Sequence, residues 1–173
     1  SRYRAHPALQ ALYATVHHYA IWDDHDYGPN DGNRSYVHKQ DSLDAFKTFW
    51  PNPSYGMPQT PGIFTTFSWS DVDFFVLDNR TYRADNLAPN DEHKDYLGTA
   101  QLQWLLDALS NSRATFKIIA SGSQVLSPYA RFESYARHSH ELHSLLSSIK
   151  RYKIEGVVFV SGDRHHSELN RLD

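Results

Sequence analysis

The chain has 173 residues, of which 14% are aromatic and 21% are charged, and its formal net charge is −3. This composition predicts one domain with a buried core rather than a disordered chain, and the charge balance does not indicate a nucleic-acid-binding surface. The absence of cysteine excludes disulfides, thiolate metal sites and cysteine nucleophiles, and no apolar run reaches the ~18 residues that a membrane span needs.

The spacing of apolar residues predicts helices and strands that alternate along the chain. Helical spacing covers 7–14, 42–50 and 99–109, with Thr99 as the cap of the third helix, and it extends through most of 133–151. Strand-like runs cover 17–22, 63–69, 72–77, 116–120 and 157–160, of which the second and third form a predicted hairpin. Four prolines predict a loop at 51–62.

Polar clusters follow several of the predicted strands. They lie at 23–26, 78–83, 121–124 and 163–166. In α/β sheets, ligands bind beyond the carboxyl ends of the strands. We therefore predict a single α/β domain over residues 1–173 that gathers these clusters at one edge of a sheet.

The first cluster places Asp23, Asp24, His25 and Asp26 directly after a buried run. Carboxylates this close repel one another unless a cation neutralises them, so a bound metal explains the cluster economically. Neighbouring loop residues point in different directions, which would let Asp24 bind metal while His25 faces a substrate. The alternative is a solvated acidic turn, which is favoured for Asp26, Asn30 and Asp31.

Asp163 and His165 follow the most strand-like run of the chain, and Gly162 lets the backbone turn sharply before them. In extended backbone, residues two apart project to the same side, which suits ligands of neighbouring metal ions. The alternative is an N-cap aspartate followed by a surface histidine. His166 and Glu168 are candidates for outer positions, hydrogen-bonded to metal ligands.

For the clusters at 78–83 and 121–124, the sequence does not decide between a functional and a structural role. Asp78 ends a strand, and Arg80 follows at a spacing that would let its guanidinium contact a phosphate. A structural Asp–Arg pair that holds the loop explains Arg80 equally well. Gln124 could hydrogen-bond a metal-bound water, although a loop residue that lines the cleft fits it better. No Gly-X-Ser-X-Gly pattern surrounds Ser123, which disfavours a serine hydrolase.

Four motifs, in this order along the chain, resemble those of the PhoD-like metallophosphatases, a calcineurin-like family of alkaline phosphatase D and related phosphodiesterases. They are Trp22-Asp23-Asp24-His25-Asp26, Leu77-Asp78-Asn79-Arg80-Thr81-Tyr82-Arg83, Leu97-Gly98-Thr99-Ala100-Gln101-Leu102-Gln103-Trp104-Leu105 and Ser161-Gly162-Asp163-Arg164-His165-His166. The resemblance spans nearly the whole chain. It implies part of a four-layer α/β/β/α sandwich with a mixed β-sheet core and a two-metal site between its sheets.

The resemblance also implies roles for single residues. Asp24, Asp163 and His165 would bind metal, and His25 would face the substrate. The residue pattern alone, without the resemblance, makes Arg80 a second candidate for catalysis and makes Asp23, Asp78, Gln124 and His166 candidates for outer positions. The implied cofactors are two divalent or trivalent ions, with iron, manganese, zinc and calcium left open. The implied reaction is hydrolysis of phosphate mono- or diesters by a hydroxide that the two metals activate.

The chain departs from the family in one respect. The family's Asp-X-His and Gly-Asp-X-X-Tyr motifs do not occur before Asp23, so we expect a domain that lacks its N-terminal part. A non-catalytic or inactive metal-binding fragment of such a domain is therefore the alternative function. Family members are often exported, which gives the expectation of an extracytoplasmic location. The sequence leaves the metal, the ester type and the oligomeric state open.

Overall fold

A computed structural model describes residues 5–172 and contains five α-helices and six β-strands in that range. The helices are α1 (Pro7–Thr15), α2 (Asp24–Tyr27), α3 (Lys39–Phe49), α4 (Thr99–Asn111) and α5 (Ser139–Arg151). The strands are β1 (Gly56–Met57), β2 (Thr60–Pro61), β3 (Thr65–Trp69), β4 (Val72–Val76), β5 (Phe116–Ser121) and β6 (Val157–Ser161). No helix within the described range is long and apolar enough to cross a bilayer.

Strands β3 to β6 form one mixed sheet in that spatial order. β3 and β4 are antiparallel and form the predicted hairpin, whereas β4, β5 and β6 run parallel. In the shared register, Phe74 lies beside Ile118, and Ile118 lies beside Val158. The carboxyl ends of the three parallel strands therefore meet at one edge, where the polar clusters were predicted to gather.

One face of this sheet forms the main core with α4 and α5. Phe75 and Ile119 point to this face and are almost completely buried, together with Leu105 of α4. The predicted mixed α/β class is thereby confirmed. The opposite face is more open, since Val158 and Val160 of the edge strand β6 are 42% and 52% exposed. The four-layer arrangement stays a prediction.

A second, smaller core holds the segment before α2 in place. Trp22 packs edge-on against Tyr27 and Phe46, with ring centroids 5.2 Å and 5.4 Å away. Leu43 of α3 and Ile63 complete the cluster. Because Trp22 immediately precedes the first polar cluster, this packing fixes where that cluster starts.

The strand predicted at 17–22 is not formed, and that prediction was wrong. Ala20 donates its N–H to Asn52 Oδ1 at 3.1 Å, and its carbonyl accepts from Asn52 Nδ2 at 2.8 Å. The amide of Asn52 therefore satisfies backbone groups that a neighbouring strand would otherwise satisfy. Tyr19 stacks on Phe67, with ring centroids 3.6 Å apart. The apolar run thus reflects packing against the sheet rather than membership of it.

The helix predicted from residue 133 begins later, because a loop and a short 3₁₀ helix (Tyr135–His138) precede α5. His138, the last residue of the 3₁₀ helix, is fully buried.

The start of α4 also differs from the prediction, since Gly98 rather than Thr99 is the N-cap and has no side chain to cap the helix. Glu141 of α5 takes this role: its carboxylate accepts the N–H groups of Tyr96 (3.1 Å), Leu97 (2.7 Å) and Gly98 (3.1 Å). A buried carboxylate here satisfies unpaired N–H groups and favours the positive end of the helix dipole. This contact ties α4 to α5.

Candidate active site

Loops at the carboxyl edge of the sheet meet the segment that follows Trp22. They bring together the carboxylates of Asp23, Asp24, Glu133 and Asp163. Each contributes one oxygen atom, and the four oxygen atoms all lie within 4.8 Å of one another. We call these four residues the acidic cluster. The convergence of Asp24 and Asp163 is the spatial relationship that the predicted metal site requires.

Gly122 allows these segments to approach so closely. A Cβ atom at Gly122 would lie 2.6 Å from Asn79 Oδ1 and 2.7 Å from the carbonyl oxygen of Trp22, which is too close for a real side chain. The carbonyl of Gly122 accepts the N–H of Gly162 at 3.0 Å, which joins the ends of β5 and β6. The sequence assigned the critical turn to Gly162, whereas the tighter steric requirement lies at Gly122.

Asp24 begins α2 and is 6% exposed. Its Oδ1 accepts the N–H of His25 at 2.8 Å, and its Oδ2 accepts the N–H of Asp31 at 3.1 Å. Burial raises the pKa of Asp24, but these backbone hydrogen bonds and the charge of Arg80 outweigh it, so the pKa lies below its ordinary value. Asp24 is therefore a fixed and ionised carboxylate.

Asp23 points inward, and side chains from the neighbouring loops hold it. Its carboxylate accepts from Arg80 Nε, from Asn79 Nδ2 at 2.9 Å and from Ser123 Oγ at 3.1 Å. The backbone N–H of Asp23 donates to Asp26 Oδ2 at 3.4 Å. Asp26 therefore supports the turn. This agrees with the alternative interpretation of Asp26 as part of an acidic turn rather than as a metal ligand.

Arg80 is fully buried beneath the acidic cluster. Its guanidinium contacts Asp23 on one side and Glu133 on the other, and Nη1 also donates to the carbonyl of Gly32 at 3.2 Å. Burial alone would lower the pKa of Arg80, but the two carboxylates raise it, so the guanidinium stays charged. Of the two interpretations that the sequence left open, these contacts favour a structural ion pair, with Asp23 and Glu133 as the partners.

Asp78 is a buried acceptor that holds the loop after β4. Its Oδ1 accepts from Trp22 Nε1 at 2.9 Å and from the N–H of Arg80 at 3.0 Å. Its Oδ2 accepts the N–H of Ile63 at 3.0 Å and the hydroxyl of Thr81 at 2.6 Å. Asp78 thus links both cores to the site, and it supports the acidic cluster through Trp22 and Arg80.

Glu133 belongs to the acidic cluster, although the sequence did not indicate it. It is 4% exposed and lies beside Asp31, whose pKa is raised by burial and by the charge and hydrogen bond of Glu133. The apolar spacing around Glu133 indicated a helix, in which a glutamate of the first turn needs no further explanation. No strand-end motif marks this residue, so only the folded chain shows its position.

Asp163 adopts a φ of 68°, in a tight turn where the N–H of Arg164 donates to the carbonyl of Gly162 at 2.8 Å. Aspartate tolerates this left-handed conformation better than most residues. Although the residue as a whole is exposed, desolvation of its carboxyl raises the pKa of Asp163, and the other three carboxylates of the cluster raise it further. A cation would relieve this repulsion.

The two histidines of the predicted site lie at its exposed side. The side chain of His25 is 78% exposed, and its Nε2 lies 3.9 Å from Asp24 Oδ2. His165 is exposed and is not a member of the acidic cluster. The roles predicted for both residues remain predictions.

Glu168 contacts both Gln124 and His166. Gln124 Nε2 donates to Glu168 Oε1, and His166 Nε2 lies 3.6 Å from Glu168 Oε2. These contacts connect the loop after β5 to the loop after β6. The outer positions predicted for Gln124 and His166 remain predictions.

The model of the PhoD-like phosphatase family matches residues 1–173. The chain belongs to this family. It is 26% identical over 205 residues to alkaline phosphatase D of Bacillus subtilis (strain 168), covering 99% of this chain and 35% of that protein. A structure described as the structure of PhoD matches with a TM-score of 0.79 and 23% identity over 95% of this chain and 37% of the other, which shows the fold.

These matches confirm the family resemblance carried by the four motifs. The chain spans about a third of the length of the two PhoD-like relatives. The acidic cluster fits the metal dependence of the family. Its four carboxylates can carry more negative charge than the single guanidinium of Arg80 can neutralise, so a cation can bind there. Oxygen donors of this kind suit hard cations such as calcium and manganese.

Proposed function

We propose that this protein hydrolyses phosphate mono- or diesters and that the acidic cluster holds the metal ions used in the reaction. The observation that carries the proposal is the convergence of Asp24 and Asp163, from separate loops, within one group of carboxylates. Membership of the PhoD-like phosphatase family supports the reaction class. The substrate is then a phosphate ester bound at the carboxyl edge of the sheet.

Asp24 and Asp163 would hold the cations, with His165 as a further ligand. Asp23 and Glu133 would close the inner side of the site, where the guanidinium of Arg80 fixes both carboxylates. Two bound ions, of iron, manganese, zinc or calcium, would supply positive charge for the phosphoryl oxygens and a water nucleophile of lowered pKa.

His25 would protonate the leaving oxygen of the ester. Its imidazole is exposed, and its Nε2 lies 3.9 Å from Asp24 Oδ2, so it can reach an ester bound at the acidic cluster. General acid catalysis of this kind contributes about 10²–10⁴-fold to a rate. We propose that Arg80 acts differently, as a positioning residue that sets the places of Asp23 and Glu133.

Metal titration by calorimetry, with Mn²⁺ and then Ca²⁺, tests the site. Asp163→Asn removes one carboxylate charge, and we expect it to weaken metal binding by about ten-fold or more. Asp107→Asn is the matched control, because Asp107 is exposed on α4 and far from the cluster in the fold. Unchanged metal affinity in Asp163→Asn would overturn the proposed site.

Hydrolysis of p-nitrophenyl phosphate and bis(p-nitrophenyl) phosphate tests the reaction. We expect Asp163→Ala to abolish turnover and His25→Ala to reduce kcat by about 10²-fold or more while metal affinity is retained. Wild-type rates in both variants would refute the assignment.

A metal-binding protein without turnover is the second candidate. The observation that favours it is the acidic cluster itself, because four converging carboxylates account for metal binding and do not by themselves imply turnover. Tight metal uptake without hydrolysis of either ester would support this candidate, whereas metal-dependent hydrolysis would exclude it.

A further inference from the structure

A cleft of about 350 Å³ is lined by the loops after β5 and β6, which also carry Glu133 and Asp163 of the acidic cluster. The first loop contributes Tyr129, Arg131 and Phe132, and the second contributes Arg164 and Glu168. Its volume lies within the range of small-molecule sites, which is roughly 300–1,000 Å³. The predicted roles of the surrounding motifs do not account for this cleft.

The cleft and the acidic cluster share both of these loops. Phe132 directly precedes Glu133, and Arg164 directly follows Asp163. Each of the two loops therefore contributes to the cleft a residue that is adjacent in the chain to a carboxylate of the cluster.

Phe132 occupies an unusual conformation in the first of these loops. Its φ is 52°, a left-handed value that is rare for a bulky side chain, and the residue is nevertheless 60% exposed. Burial of the ring therefore does not explain the conformation. The turn is held by Ser134, whose hydroxyl donates to the carbonyl of Tyr129 at 2.8 Å. Strain of this kind is concentrated at ligand-binding positions.

Arg164 lies over the ring of Phe132, 3.9 Å from its centroid. Within residues 5–172, neither Arg131 nor Arg164 has a carboxylate in ion-pair distance; Glu168, which also lines the cleft, contacts His166 and Gln124 instead. An exposed phenylalanine, an exposed tyrosine and a planar guanidinium stacked on the phenylalanine thus share one opening. Flat groups of this type stack on aromatic rings.

We propose that this cleft binds the organic arm of the ester substrate and that this arm carries a planar aromatic ring, as in aryl or nucleobase-bearing esters. The inference rests on the proposed function, because the phosphate must lie at the acidic cluster. Phe132 and Arg164 stack against the ring of the substrate, and Tyr129 bounds the cleft on its outer side.

Binding of two inert analogues tests the proposal without turnover. Phenylphosphonate and methylphosphonate share the same anionic head, and only the first has a ring. With Mn²⁺ present, we expect calorimetry to show that the wild-type protein binds phenylphosphonate about five-fold more tightly than methylphosphonate. Phe132→Leu should reduce this ratio to about one, whereas Phe132→Tyr, which keeps an aromatic ring, should preserve it.

Trp69→Leu is the matched control, since Trp69 is 68% exposed on β3, outside the cleft. We expect it to leave the ratio unchanged. Equal affinity for the two phosphonates in the wild-type protein, or a ratio that Phe132→Leu leaves intact, overturns the cleft proposal alone. If neither phosphonate binds in the presence of Mn²⁺, the proposed function and the cleft proposal fail together.

Discussion

Arg80 and Glu133 form a buried two-point ion pair at the base of the acidic cluster. Nη1 donates to Oε1 and Nη2 donates to Oε2, the latter at 2.9 Å. Since the same guanidinium also contacts Asp23, one positive charge serves two of the four carboxylates. The charge that remains uncompensated lies on Asp24 and Asp163, which is where a metal ion would neutralise it.

Arg80→Gln should destabilise the fold strongly. Loss of the guanidinium leaves Asp23 and Glu133 buried without a cation, and breaking a buried pair in this way costs about 3–5 kcal/mol. Arg80→Lys should cost less, because an ammonium keeps the charge but lacks the two-point geometry. The free energy of unfolding, measured by chemical denaturation in the absence of metal, distinguishes the three proteins.

The control for Arg80 is a surface pair. Arg34 Nη1 lies 3.1 Å from Asp95 Oδ2, and the two side chains are 51% and 30% exposed. Arg34→Gln should therefore cost no more than about 1 kcal/mol. An equal loss of unfolding free energy in Arg34→Gln and Arg80→Gln would show that the buried ion pairs of Arg80 stabilise the fold no more than a surface ion pair does.

Asp78→Asn should also lower the free energy of unfolding, by about 2–4 kcal/mol. The amide would place an NH₂ group among donors such as Trp22 Nε1 and the N–H of Ile63, which now donate to the carboxylate. Asp107→Asn, on the exposed face of α4, is the control and should stay within about 0.5 kcal/mol of the wild type. An unchanged free energy of unfolding in Asp78→Asn would mean that water accepts the N–H groups that now donate to the carboxylate.

Much of the sheet and part of the site could be predicted from local patterns. Alternation and apolar runs located β3 to β6, and the polar residues beyond the end of β6 placed Asp163 at the carboxyl edge of the sheet. This succeeded because parallel strands expose their carboxyl ends together. The strand prediction at 17–22 was wrong because an apolar segment that packs on a sheet has the same composition as a strand.

The rest of the site depends on contacts between residues far apart in the chain. Glu133 has no motif around it, and it joins the acidic cluster only because Arg80 holds it from the opposite loop. In the same way, Glu141 caps α4 from α5, and nothing near Gly98 in the sequence indicates it. Side-chain hydrogen bonds across 40 or more residues leave no periodic signal.

The stability of the protein should fall below pH 6.5 through His138. Burial and the charge of Arg83 lower the pKa of His138 to about 3, whereas in the unfolded chain its pKa is near 6.5. Between these values the unfolded state binds a proton that the folded state does not. The contribution of His138 is therefore complete above pH 6.5 and is lost as the pH falls toward 3.

His138→Phe tests this pH dependence. Phenylalanine cannot titrate and retains a ring against Tyr96, whose centroid lies 5.3 Å from that of His138. Denaturation of both proteins at pH 8 measures the difference in packing and the loss of the contact between His138 Nε2 and the carbonyl of Ala84. On acidification from pH 6.5 to 4.5, the wild type should lose stability more steeply than the variant, by at most about 1.4 kcal/mol per pH unit. Parallel curves would contradict the low pKa.

The open face of the sheet should tolerate charge where the opposite face does not. Val158 and Val160 are exposed on the edge strand β6, whereas Val157, one position away, packs against the main core. Val157→Lys should therefore destabilise the fold by about 2 kcal/mol or more, and Val158→Lys should leave stability almost unchanged.

The same substitutions test whether this face is an interaction surface. Adjacent exposed valines on an edge strand favour association, and lysine opposes it. We expect Val158→Lys to reduce binding of the apolar dye ANS. Because side chains alternate along a strand, equal effects of Val157→Lys and Val158→Lys on stability would contradict the assigned register of β6.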